Sequence, residues 1–238
     1  MLHLIRPPPK DIAGYHKALV AADALRSDQY PVFTSQRTKV SGKNVLVSWV
    51  ETVEAAAGLF QKARWDDLNA EEIAILLGLA HDGKDWGLLG DMGVAGQANQ
   101  EFKTNSNARQ QIRDTLSFVL KAKDSDQFSR VAANVLGKIA AMDRFGPAIA
   151  TRLITLARPE YGISVNNGSA PGLAELTGWR DKPHTLQHDR NYPKLLEWVF
   201  RQPWHDTPEP REQGLRRIWR MRAALLDVFV YEPPQRTL

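Results

Sequence analysis

The chain has 238 residues, 43% of them hydrophobic, with 31 Lys+Arg against 27 Asp+Glu and a formal net charge of +4. That length can bury one substantial core or two closely packed lobes, and so mild a basic excess does not by itself mark a nucleic-acid binder. The absence of cysteine excludes disulfides, thiolate zinc sites, iron–sulfur clusters and a cysteine nucleophile.

Met1-Leu2-His3-Leu4-Ile5-Arg6-Pro7-Pro8-Pro9 reads as neither a signal peptide nor a targeting helix, and no apolar run is long enough for a bilayer. A soluble intracellular protein without a membrane partner is therefore expected. From Asp11 to Leu25 the apolar residues Ile12, Tyr15, Leu19 and Ala22 fall on one side of a helix. Residues 29–43 are polar and turn-rich. Asn44 to Ala63 carries Leu46, Val47, Val50, Val53, Ala57 and Phe60 at helical spacing, although its Val45-Leu46-Val47 start also suits a short strand. Asn69 is placed to cap a helix running to about His81, with Glu71 and Glu72 suited to its first turn. The next fifteen residues, Asp82 to Gly96, hold five glycines and read as a shaped loop. They lack both the Lys-Ser/Thr and the G-x-G-x-x-G spacing of nucleotide loops, so that reading is weak.

Two further helices are expected over Ser106–Lys121 and Asp126–Met142, the second with Asp126 near its start and Phe128, Val131, Ala132, Val135, Leu136 and Ile139 as its apolar stripe. Then comes Met142-Asp143-Arg144-Phe145-Gly146-Pro147-Ala148-Ile149-Ala150-Thr151-Arg152-Leu153, a tight turn between two helices. The first N–H groups of a helix lack intrahelical partners and sit at its positive end, where an anion such as phosphate binds. Pro147 suits a first helical position. Arg144 and Arg152 add charge on either side, and Lys138 to Arg158 contains four cations against Asp143 alone. An ordinary connection between core helices has the same appearance. The second helix stops before Pro159. An extended Ile163-Ser164-Val165 leads to Asn166-Asn167-Gly168-Ser169, a small helix follows near Pro171–Thr177, and helices over Tyr192–Arg201 and Glu209–Tyr231 complete the chain. His184 and His188 have i,i+4 spacing but sit after Pro183 with no metalloprotease carboxylate, so no metal site is expected. The fold class read from this pattern is all-α with token strand, organised as residues 1–105, which hold the glycine-rich loop, and residues 106–238, packed as one unit.

The order helix, glycine-containing hairpin, helix with Ala-Thr, Arg-Pro and an extended stretch ending in Val165-Asn166 resembles the helix-hairpin-helix DNA glycosylase superfamily over roughly residues 126–167. A looser likeness, carried by Trp86-Gly87-Leu88-Leu89-Gly90, Pro203-Trp204 and Trp219 to Asp227, is to a branch among bacterial anti-phage defence proteins. The resemblance implies a two-lobed helical protein that binds double-stranded DNA as a monomer in the bacterial cytoplasm. It would grip a phosphate through Arg144, Phe145, Gly146, Pro147, Ala148, Ala150 and Arg152, flip a damaged or phage-modified nucleotide and hydrolyse its glycosidic bond without a cofactor. The chain departs from the family in three places. The usual second hairpin glycine is missing, Ala148 stands where bifunctional members carry a Schiff-base lysine, and Asn166, with Asn167 beside it, stands where an aspartate is usual. An asparagine orients water but carries no charge to offset an oxocarbenium ion. Asp91 and Asp227 are therefore candidate assisting carboxylates, and structural pairing with an arginine is the competing explanation for Asp227. Trp86, Met92 and Phe102 are candidates for an apolar base pocket. Asn166 has a competing role as a turn or helix cap, and loss of catalysis would leave a DNA-binding or specificity module of a defence or restriction system.

Overall fold

The computed structural model describes residues 1–29, 45–82, 84–86, 89 and 96–231. Within them the fold is all-α, with eleven α-helices and one antiparallel ladder of two-residue strands. In chain order come α1 (Ile12–Gln29), α2 (Val45–Ala57), α3 (Ala70–Leu77), the ladder of β1 (Ala80–His81) with β2 (Lys84–Asp85), α4 (Gly96–Thr104), α5 (Ser106–Leu120), α6 (Ser125–Ala140), α7 (Pro147–Ala157), α8 (Ala170–Thr177), α9 (Tyr192–Phe200), α10 (Gln213–Trp219) and α11 (Asp227–Val230). Short 3₁₀ segments lie at Leu2–Ile5, Leu59–Gln61, Pro183–Gln187 and Ala224–Leu226. No described helix is long and apolar enough to cross a membrane.

Caps explain where several helices begin. Asn69 accepts from the Glu72 amide while the Glu72 side chain accepts from the Asn69 amide, a full capping box. α3 then ends at Gly78, whose φ of 69° is the left-handed conformation that glycine adopts freely. This stop comes before the expected His81, and the chain turns at once into the β ladder. α6 is capped by Asp124, not by Asp126; the Asp124 carboxylate accepts from the Gln127 amide at 2.8 Å. Asp126 lies in the first turn, where its charge still suits the helix dipole. α4 was absent from the expected elements.

The expected helix over Glu209–Tyr231 is broken into α10, a 3₁₀ turn and α11. Three hydrogen bonds mark the break. The Ala224 amide leaves the helical ladder and donates to the Pro159 carbonyl at 2.9 Å. Arg222 turns inward and donates to the Trp219 carbonyl at 2.6 Å and the His205 carbonyl at 2.9 Å. The Ala224 bond takes one amide out of the helical ladder, and the Arg222 bonds tie the end of α10 to the chain at His205.

Buried apolar side chains from Ile5 to Val230 form a connected core that draws on both sides of residue 105. α6 and α7 pack along each other, with α5 against both. Gly172 of α8 fits under α11 so closely that a Cβ there would lie 2.5 Å from the Val230 carbonyl oxygen.

Candidate functional site

The turn between α6 and α7 spans residues 141–146 and ends at Gly146, the N-cap of α7, with Pro147 in its first turn. No side chain caps this helix among the described residues. Gly146 is half-buried, and a Cβ built on it meets nothing within 4 Å. The left-handed residue of the turn is Arg144, at φ 65°, not a glycine. An L-residue in this conformation carries strain of about 1–2 kcal/mol. The Arg144 guanidinium lies 3.6 Å from the Glu101 carboxylate and 3.4 Å from Asp143, so acidic neighbours offset the charge that the sequence places at the turn.

Of the other hairpin candidates, Pro147 and Ala148 are half-buried, while Phe145 and Ala150 are buried. Phe145 packs edge-on to Phe102, their ring centroids 6.3 Å apart. Arg152 corrects the sequence expectation most sharply. It is 0% exposed and donates to the carbonyls of Leu76 at 2.8 Å, Ile75 at 2.9 Å and Trp86 at 3.0 Å. It closes the C-terminal end of α3, where carbonyls lack intrahelical donors and the dipole favours a cation. No phosphate can reach it in this fold.

Behind α7, the extended segment 162–166 lies on the helix. Gly162 permits the approach, since a Cβ there would sit 2.7 Å from Thr155 Cα. Two side chains then take the place of a neighbouring strand. The Tyr192 hydroxyl accepts from the Ile163 amide at 3.0 Å and donates to its carbonyl at 2.9 Å. The Thr151 hydroxyl accepts from the Val165 amide at 3.1 Å. Ser164 donates to the Leu89 carbonyl at 2.5 Å. Burial pushes the Tyr192 hydroxyl pKa upward, so it remains a donor at any ordinary pH. Residue 166 is thus fixed relative to the turn by α7 itself.

The Asn166 Oδ1 accepts from the Gly168 amide at 2.8 Å and the Ser169 amide at 3.2 Å, while its own amide donates to Ser169 Oγ at 3.1 Å. These bonds build the turn that opens α8. Its Nδ2 is sealed from solvent with no hydrogen-bond partner among the described residues. In this arrangement Asn166 offers a donor and has its acceptor engaged. Asn167 beside it is exposed.

Asp227 is a core residue, 2% exposed, whose Oδ2 accepts from Trp49 Nε1 at 3.0 Å. Its burial between α2 and α11 removes it from the surface that holds the turn. Of the two arginines nearest to it in sequence, the candidates for its partner, Arg222 lies over Trp219, 4.3 Å from the ring centroid, and Arg220 pairs with Glu209 at 3.1 Å. Phe102 is fully buried among Trp65 and Phe145, and Trp86 is buried with its carbonyl on Arg152. Both act as core walls here. Asp91 and Met92 lie outside the described residues. His184 and His188 stand with ring centroids 6.3 Å apart, and no cluster of three or more metal-ligating side chains occurs among the described residues.

Sequence reading missed Thr151, Tyr192 and Ser169, the residues that position Asn166. The only available signal was polar residues interrupting apolar runs. No family model matches the chain, and no curated protein or solved structure matches it.

Proposed function

We propose that the protein is a monofunctional DNA glycosylase-like enzyme that grips duplex DNA at the α6–α7 turn and excises a damaged or modified base by hydrolysis. The observation that carries this reading is mechanical. An uncapped helix N-terminus over open space and the Val165-Asn166 segment are held by one helix, α7, through Thr151. A phosphate docked at Gly146 and Ala148 would therefore sit at a fixed distance from residue 166. Fixed geometry of this kind is what a flipped-base reaction requires.

Asn166 then serves as a hydrogen-bond donor that orients the reacting nucleotide or a water, through an Nδ2 that is sealed in this structure and reaches a ligand only when the residues over it move. It cannot act as the base, because a carboxamide takes up no proton near neutral pH, and its Oδ1 is already engaged by two backbone amides. Activation of water falls to a carboxylate, for which Asp91 remains the sequence candidate. Ala148 leaves no amine for lyase chemistry at that position. The second reading, a DNA-binding module without catalysis, is favoured by the same capping bonds, which give Asn166 a purely structural task.

Incubation with plain, damaged and phage-modified duplexes, followed by mass spectrometry of released bases, separates the two. Asn166→Ala is expected to lower base release by about 100- to 1000-fold, while loss of the turn bonds lowers stability by only about 1 kcal/mol. Asn166→Asp keeps an oxygen that accepts from both amides but exchanges the Nδ2 donor for a carboxylate oxygen, and it should fold. Retained or increased activity would place residue 166 at the reaction centre, whereas activity lost as in Asn166→Ala would mark the Nδ2 donor as the group the reaction uses. Full activity in a folded Asn166→Ala protein would remove residue 166 from the reaction, and no released base from any duplex would leave the binding module.

A further inference from the structure

On another face, between the 3₁₀ segment Pro183–Gln187 and α9, the surface opens into two adjoining cavities of about 290 and 520 Å³ that share Lys194. Their chemistry differs. The smaller is walled by half-buried Trp179 and Trp198 over buried Leu186. The larger is rimmed by Lys182, Arg190 and Lys194, all exposed. Lys194 Nζ lies 5.7 Å from the centroid of the Trp179 ring and links the two compartments.

The frame is fixed before any ligand arrives. The Thr185 hydroxyl accepts from Trp179 Nε1 at 3.1 Å and donates to the Lys182 carbonyl at 2.7 Å. The Thr185 carbonyl accepts from Asn191 Nδ2 at 2.9 Å. Of the two carboxylates at the rim, Glu197 is paired with Arg201, which leaves Asp181 facing three cations.

We propose that these joined cavities bind a nucleotide unit, with its base against Trp179 and Trp198 and its phosphate on Lys182, Arg190 and Lys194. A cavity lined by two tryptophans beside a cationic rim matches the two ends of a nucleotide. Stacking on aromatic rings tolerates any base, and cations supply the salt-dependent part of the affinity. The combined volume lies within the usual range of ligand sites, about 300–1,000 Å³. The nucleotide can belong to a nucleic-acid strand or be free. Asp189 packs beside Gly137 of α6, which places this site on the flank of the helix that leads into the α6–α7 turn. The proposal goes beyond the turn reading and does not depend on base excision.

The test uses the full chain, a short fluorescent oligothymidylate followed by anisotropy, and thymidine monophosphate as competitor, at about 50 and 200 mM salt. A variant combining Lys182→Glu, Arg190→Glu and Lys194→Glu changes exposed side chains only and should weaken oligothymidylate binding at least about tenfold, more at the lower salt. Trp179→Leu should weaken it by about tenfold at both salts. Lys123→Glu, an exposed charge that lines neither cavity, should leave it within about twofold. Competition by the mononucleotide identifies a free nucleotide as sufficient, and its failure to compete identifies the strand; both support the site. Undiminished oligothymidylate binding by the folded triple variant would overturn the proposal, as would a wild-type protein that binds neither probe. Base release from duplex DNA, measured on the same variants, reads the turn separately.

Discussion

Arg144 and Arg152 flank the same turn, and the fold puts them to opposite uses. Arg144 lies outside in a left-handed conformation, beside Glu101 and Asp143. Arg152 lies inside, bonded to three backbone carbonyls. Arg152→Met should therefore lower unfolding free energy by at least about 3 kcal/mol, because each buried acceptor left bare costs about 1–3 kcal/mol. Arg144→Gly should relieve backbone strain and leave stability unchanged or raised by up to about 1 kcal/mol. It should also weaken duplex binding if the turn grips phosphate. Urea melts and a duplex titration of the pair check both. His205 gives a pH prediction at the same scale. Burial and then the Arg222 charge hold its pKa down to about 3, and its Nε2 lies 2.9 Å from the Glu160 carbonyl, the geometry of a neutral ring donating. A depressed histidine stabilises the fold fully above its unfolded pKa of about 6.5, and that contribution is lost as pH falls from there toward 3. At about pH 5 the expected loss is about 2 kcal/mol relative to neutral pH. His205→Gln should flatten that slope in urea melts at the two pH values; an unchanged slope would assign acid sensitivity to other groups.

Among the elements, segment 162–166 shows how backbone without a partner strand is satisfied. Tyr192 and Thr151 provide the donor and acceptors that a ladder would give. Tyr192→Phe leaves the Ile163 amide and carbonyl unsatisfied and should cost about 2–4 kcal/mol. Gly162→Ala forces a Cβ onto α7 and should cost about 1–3 kcal/mol. Thermal melts measure both, and a wild-type melting temperature for either would mean that the segment can leave α7 without penalty. The helices themselves were legible wherever local chemistry decided them. Asn69 with Glu72, Pro147, and the apolar stripe of α6 all act within a few residues. The single helix expected over Glu209–Tyr231 failed because its break is set by contacts outside it, to Pro159, far away in sequence, and to His205. No periodicity in that stretch records them.

At the scale of the whole molecule, the all-α class followed from composition and helical spacing, and the position of the turn followed from Gly146-Pro147. The site around it was legible only in part. Exposure decided the difference: Arg152 and Asp227 have the residue types of a DNA-binding enzyme and the surroundings of a core. Arg109 follows the same pattern, donating to the carbonyls of Trp65, Asp66 and Phe102. A charge count along the chain treats such arginines as surface, whereas the fold removes them from any partner's reach. The basic and aromatic residues near α9 were the reverse case. Their spacing in sequence carries no motif, and only the turn fixed by Thr185 brings them together.

The same internal arginines bear on how the chain is made. During synthesis from the N-terminus, α3 emerges long before Arg152, which lies 76 residues after Leu76. Until that residue leaves the ribosome, the end of α3 has only water for its last carbonyls, and Asp227 is later still as the acceptor for Trp49. The early helices are thus held in an open, exchangeable state for most of elongation. Final closure waits for the late helices, so the earliest segments stay open to proteolysis and self-association until α11 has emerged.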